Sequence, residues 1–133
     1  NLQTYQNDNY KRIRKNLRRF IGGMNKDQLD LISAASQEMI RVDGQWINNR
    51  KALIENLKLI LKRDDGWELA LTNITHRDDL VSANYRKTYS HNIKVNERLF
   101  VEILNSRTEK QDKKLRSTLL RYKTDINNLI ARK

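Results

Sequence analysis

No proline occurs anywhere in the 133 residues of this chain. Proline ends a helix sharply because it lacks an N–H and its ring clashes with the preceding turn. A chain without it must end its helices with glycine, with capping side chains, or not at all. Only four glycines are present, Gly22, Gly23, Gly44 and Gly66. Sandwich and barrel folds need turn residues roughly every ten positions, so that supply disfavours them. Apolar residues instead recur at helical spacing, and with 38% hydrophobic and 32% charged content the chain can fold around a core. The expectation is an all-α protein: a small antiparallel helical bundle of four main helices plus a short crossover helix, in a single helical domain over 1–133.

The periodicity predicts where those helices lie. Tyr10, Ile13, Leu17, Phe20 and Ile21 share one face of a helix over about 7–21, which Gly22-Gly23 terminates. A second helix opens at Asn25, where Asn25 and Gln28 form a variant capping box: the Asn side chain accepts from the Gln28 amide, and Gln28 reaches back. From there Ile32, Ala35, Met39, Trp46, Leu53, Leu57 and Ile60 keep one register as far as Lys62-Arg63-Asp64-Asp65-Gly66. The pattern fits a long helix kinked at Gly44, or two helices with a tight break there. A short apolar segment over 67–74 reads as the crossover. A long helix over about 78–105 should turn Val81, Tyr85, Tyr89, Asn92, Asn96, Leu99, Phe100 and Ile103 inward, the two asparagines bonding each other or a helix end. The last helix opens with a T-x-x-Q capping box, Thr108 to Gln111, and carries the heptad stripe Leu115, Leu119, Tyr122, Ile126 and Leu129. Leu57 and Leu119 are expected in the core.

Nothing in the chain is arranged for catalysis. There is no cysteine, hence no thiolate nucleophile and no disulfide. His76 precedes a weak acidic cluster, Asp78-Asp79, that reads as the cap of the following helix. His91 has no His or carboxylate at i+3 or i+4, and both histidines read as surface or structural residues. The serines sit in helical or capping contexts, and Gly22-Gly23 has no flanking strand to make a phosphate loop. No cofactor is implied, and the expectation is a protein that is not an enzyme. Trp46 and Arg50, one helical turn apart, read as a core indole covered by a guanidinium. Tyr85, Tyr89 and Tyr122 read as core aromatics rather than stacking platforms.

Charge is the informative feature. The net charge is +11, carried as +6 in residues 1–26 and +6 in residues 105–133, with −1 between them. If the first and last helices pack side by side, Lys11, Arg14, Lys15, Arg18, Lys113, Lys114, Arg116 and Arg121 would form one surface for an anionic partner. An anionic membrane surface or an acidic, unfolded polypeptide fits that description. A nucleic-acid-binding helical domain is the alternative reading, although no helix-turn-helix spacing or base-reading recognition helix stands out.

A resemblance adds to this. The run His91-Asn92, then Leu99-Phe100-Val101-Glu102-Ile103-Leu104-Asn105-Ser106-Arg107-Thr108-Glu109-Lys110-Gln111, continues through Leu115, Leu119, Tyr122, Asp125 and Leu129. It resembles the C-terminal end of an uncharacterised family of γ-proteobacterial lipoproteins, which reads N-S-L-T-x-x-Q followed by a helix ending L-x-x-Y-x-x-D-x-x-x-L. The Phe20-to-Gln28 turn, Trp46, Arg50 and Lys62-Arg63 fit the same family. The two capping boxes are also similar to the L-T-x-x-Q element of Spy/CpxP-type periplasmic chaperones, with Met24 and Arg107 standing where that element has leucine. The resemblance implies a periplasmic domain forming the C-terminal part of a longer, lipid-anchored protein, and a binding or chaperone-like role. The chain opens on Asn1 rather than Met, as expected of an excised or mature piece.

Overall fold

The structure, a computed structural model, describes residues 1–75 and 82–132, and these are all-helical. Six helices follow one another: α1 Leu2–Ile21, α2 Lys26–Glu38, α3 Asp43–Lys62, α4 Trp67–Thr75, α5 Ala83–Asn105 and α6 Glu109–Ala131. The all-α class and the bundle character stand, with six helices described where four and a crossover are expected. The chain divides into two compact units, one made of 1–39 and 95–133, the other of 40–94.

The first unit holds the main core. Leu17 and Ile21 of α1, Ile32 and Ala35 of α2, Met39, and Val95, Leu99 and Ile103 of α5 are all buried and packed together. The three- and four-residue spacings on α2 and α5 put those side chains on one stripe of each helix. The helices run in alternating directions. Gln6 near the start of α1 donates to the Gln37 carbonyl near the end of α2. Arg98 of α5 pairs with Glu38, while Ser106, just past α5, meets Gln28 at the start of α2.

That end of the unit, where the α1–α2 and α5–α6 turns meet, is tied by two glutamines. Both predicted capping boxes form: Asn25 accepts from the Gln28 amide at 3.0 Å and Thr108 from the Gln111 amide at 3.2 Å. Gln28 and Gln111 return the bond to the amides of Asn25 and Thr108. Their carboxamides then pair with each other, Gln28 Nε2 donating to Gln111 Oε1 at 2.9 Å and Gln111 Nε2 to Gln28 Oε1 at 2.8 Å. The spare protons go to the Ser106 and Gly23 carbonyls. Both side chains are buried, so every hydrogen bond here replaces one that water would have supplied.

The second unit is thinly packed. Helices α3 and α4 lie against each other across a turn in which Arg63 takes a left-handed conformation, φ 53°, and Gly66 a φ of 89°. No residue of α3 is buried, and Ala70 of α4 is the buried apolar residue of this unit among the described residues.

Several expectations need correction. Helix α1 starts at Leu2, not near Asn7, because the Asn1 side chain caps it by accepting from the Thr4 amide. The interruption in the second long segment falls at 39–42 rather than at Gly44, which lies inside the first turn of α3. The break is held from a distance: Asn92 accepts from the Ile40 N–H at 2.9 Å and donates to the Ile40 carbonyl at 2.8 Å, satisfying backbone that no helix serves. Leu57 and Leu119 are not core residues, being 42% and 51% exposed, and Tyr122, Ile126 and Leu129 are exposed with Leu119. The α6 stripe is amphipathic, yet beyond Thr118 its cover within this unit thins to the Phe20 ring, 5.9 Å from that of Tyr122. Trp46 is exposed as well, with the Arg50 guanidinium 4.9 Å from its ring centroid, so the cation–π contact forms at the surface. On α5 the inner face is Val95, Leu99 and Ile103, while Tyr89, Asn96 and Phe100 face outward. Tyr85 and Tyr89 stack on one another, centroids 6.1 Å apart. The expectations for His76, Val81 and the start of a helix at 78 lie outside the described residues.

Candidate functional site

Helix α1 buries one side and leaves the other to its cations. With Leu17 and Ile21 inward and Tyr10, Ile13 and Phe20 partly covered, the 3.6-residue period turns Lys11, Arg14, Lys15 and Arg18 to the opposite face. These four, with Arg19, surround an open depression of about 410 Å³. Among the described residues none of the five is in an ion pair. Arg18 and Arg19 occupy the last turn, where the helix dipole favours positive charge. The first turn of α1 has no acid to offset it. Such a face is a concentrated positive field in water, suited to carboxylate, phosphate or sulfate groups.

The four α6 cations of the predicted surface differ. Helices α1 and α6 do pack together within the first unit, with the Lys114 stem lying against Gly22. But Lys113 is paired with Glu109 at 2.9 Å, and Arg116 with Asp112 at 2.6 Å. Arg107 reaches the same Asp112 at 2.7 Å. Hydrogen bonds from Arg116 and then Arg107 hold the Asp112 carboxyl below the ordinary carboxylate range, and Asp112 in turn raises Arg116. Arg121 leans on the Tyr122 ring, 5.8 Å from its centroid. The predicted eight residues therefore divide into four open cations on α1 and four on α6 that are paired, leaning on an aromatic ring, or laid against the backbone.

Of the capping residues, Gln28 and Gln111 form the buried tie between the two turns, while Asn25 and Thr108 are exposed with their side chains engaged in the caps. Two residues of α1 that bear on this face fall outside the predicted surface. Arg19 completes the depression, and Asn9, 2% exposed, accepts from Arg12 at 2.7 Å and so sets the direction of that guanidinium. Arg19 was legible as the next residue of a basic run. The Asn9 contact follows the i, i+3 spacing of a helix face. His91 is exposed, and among the described residues no group of three or more His, Asp or Glu is placed to hold a metal ion. Nor is any helix there long and apolar enough to cross a membrane.

Compared with known proteins, the chain matches no curated protein and no solved structure. A family profile does match, described as a family of unknown function (DUF6279), over residues 2–86. That span takes in the cationic helix, the first capping box and the Trp46–Arg50 pair. With well over half its length inside the match, the chain belongs to the DUF6279 family.

Proposed function

We propose that this domain acts by binding rather than by chemistry, engaging an acidic polypeptide through the open cationic face of α1. The observation that carries the reading is the contrast between two basic helices. On α6, Lys113 and Arg116 are neutralised by carboxylates one turn away, whereas Lys11, Arg14, Lys15, Arg18 and Arg19 on α1 surround a depression with no such partner among the described residues. Surface cations held only for solubility are commonly interspersed with acids. Five together leave a field that a polyanion would fill. The resemblance to γ-proteobacterial lipoproteins supports a location in the envelope, on a lipid-anchored protein facing the periplasm, and the pairing of two capping boxes supports a chaperone-like role.

The test replaces Lys11, Arg14, Lys15 and Arg18 together by glutamine. Binding of an acidic unfolded protein, of anionic vesicles and of duplex DNA is measured for both proteins at low and high salt. Wild type should bind the acidic protein at low salt and lose most of that affinity as the Debye length falls from ~10 Å at 0.1 M to ~3 Å at 1 M. The quadruple variant should bind weakly throughout. Equal binding by the variant, or no binding by either protein, overturns the reading. A preference for duplex DNA with a steep log–log salt slope would turn it to nucleic acid instead. Palmitate labelling and fractionation of the full-length gene product test the envelope location separately.

A further inference from the structure

Two helices of the first unit, α1 and α5, leave a groove between them of about 390 Å³. Its floor is the edge of the core, with Leu17 and Leu99 almost fully buried and Ile13 beside them. Phe20 and Phe100 form its walls, Phe20 partly buried and Phe100 48% exposed. The polar members of the lining are Arg12, Asn16 and Asn96, and no carboxylate lines it. Asn9 fixes Arg12 at the rim. Arg12 and Arg19 stand two turns apart on the same edge of α1, so the groove opens beside the cationic depression that Arg19 helps to line.

We infer that this groove receives an acidic amphipathic polypeptide segment. Its apolar side chains enter between Phe20 and Phe100, and its carboxylates meet Arg12 and the adjoining cations of α1. The inference rests on the reading of α1 as the anionic-partner surface and names the kind of segment that surface takes. Charge complementarity selects the occupant: the lining offers a cation and amides and no acid. The apolar stripe of a second copy's α6 is a poor match, because Arg121 and Lys123 flank it. A planar membrane does not enter a concave slot between two helices. An amphipathic helix laid in an apolar groove is an established mode of peptide recognition, with anchors at i, i+3, i+4 and i+7.

The probe is a fluorescein-labelled peptide of about four turns with leucine and phenylalanine at those anchor spacings and glutamate elsewhere. It is compared with a lysine-for-glutamate peptide, a serine-for-leucine peptide and vesicles of phosphatidylglycerol. Fluorescence anisotropy is read at 0.1 M and 1 M salt for wild type, Phe100→Ser, Asn96→Glu and the quadruple glutamine variant. Phe100 and Asn96 are exposed, and an unchanged thermal melt shows that both variants fold. Phe100→Ser should weaken the acidic peptide about tenfold at both salt concentrations, since apolar burial is not screened. Asn96→Glu should weaken it chiefly at low salt. If the peptide binds and only the quadruple variant loses it, the groove inference falls while the α1 surface stands. Without binding of the peptide even at low salt, both fall. Equal affinity for the lysine peptide removes the charge argument, and vesicle binding that depends on Phe100 makes the groove a lipid site instead. Either result overturns the inference.

Discussion

Replacing Gln28 with leucine removes one half of a reciprocal pair of buried amides, and the consequences can be followed atom by atom. Gln28 Oε1 accepts from the Asn25 amide at 3.1 Å and from Gln111 Nε2 at 2.8 Å, while its Nε2 donates to Gln111 Oε1 and to Ser106. Leucine leaves the Asn25 N–H, one Gln111 amide proton and the Ser106 carbonyl without these partners. Each stranded buried group costs about 1–3 kcal/mol, and the Asn25 and Ser106 groups lie close enough to the surface to recover part of that from water. The expected loss is about 3 kcal/mol. Gln111→Leu should cost a similar amount, since it strands the Thr108 N–H and the Gly23 carbonyl. The double variant is the informative one. Both single changes lose the same two amide–amide bonds, so their sum counts those bonds twice. The double variant should therefore fall short of additivity by about 2 kcal/mol. Urea unfolding followed by circular dichroism at 222 nm measures all three. Additivity within about 0.5 kcal/mol would refute the pairing of the two carboxamides.

Core and surface substitutions should separate cleanly in the same assay: Ile32→Ala, at a fully buried site, should cost about 3 kcal/mol, and Leu119→Ala, at an exposed one, under about 1 kcal/mol. Gly44→Ala should stabilise by about 0.5 kcal/mol, because Gly44 is helical and a Cβ there meets nothing within 4 Å. Gly22→Ala should destabilise by about 1 kcal/mol, because Gly22 holds a φ of 78°; opposite signs in melting temperature check the pair. Asp112→Asn should lower the melting temperature at neutral pH. The carboxyl held low by Arg116 and Arg107 stabilises the fold above the unfolded-chain value of about 4. That contribution is lost as pH falls through the lower, folded-state value, so the gap between variant and wild type should close in acid. A gap that persists there would show that Asp112 acts by shape rather than by charge.

What the sequence discloses about this fold is mostly local. The two capping boxes, the Gly22 turn, the short helix at 67 and the inward residues Leu17, Ile21, Ile32, Leu99 and Ile103 all follow from spacing and side-chain chemistry within a few residues. The misplaced break at 39–42 has a different cause. Its satisfaction comes from Asn92, 52 residues away, and no periodicity within the segment reports that. Adjacent apolar residues mislead in another way. In Leu99-Phe100 and Phe20-Ile21 only one member can face the core, and the other forms a wall of the groove. The heptad stripe of α6 is regular, but regularity records only that a helix has an apolar face. Whether another helix lies on that face is decided by tertiary packing. At the candidate site, counting charge by segment finds both basic ends, yet a sum over residues 105–133 cannot say that Glu109 and Asp112 each sit one turn from a cation they neutralise.

The C-terminal half of α6 has a consequence for how the molecule opens. Amide protons around Gln111 are sheltered by the tied turns, and their exchange with deuterated solvent should require disruption of the first unit as a whole. Beyond Thr118 every described residue is exposed, and past the Phe20–Tyr122 ring contact that stretch keeps its hydrogen bonds by helix propagation. An unsupported helix of this length is marginal in water. Exchange along α6 should accelerate stepwise from Thr118 toward Arg132, in a fraying reaction uncoupled from global unfolding. An apolar partner laid on Leu119, Ile126 and Leu129 would abolish that gradient. Protection of those amides would thus register occupancy of the stripe without any label on the partner.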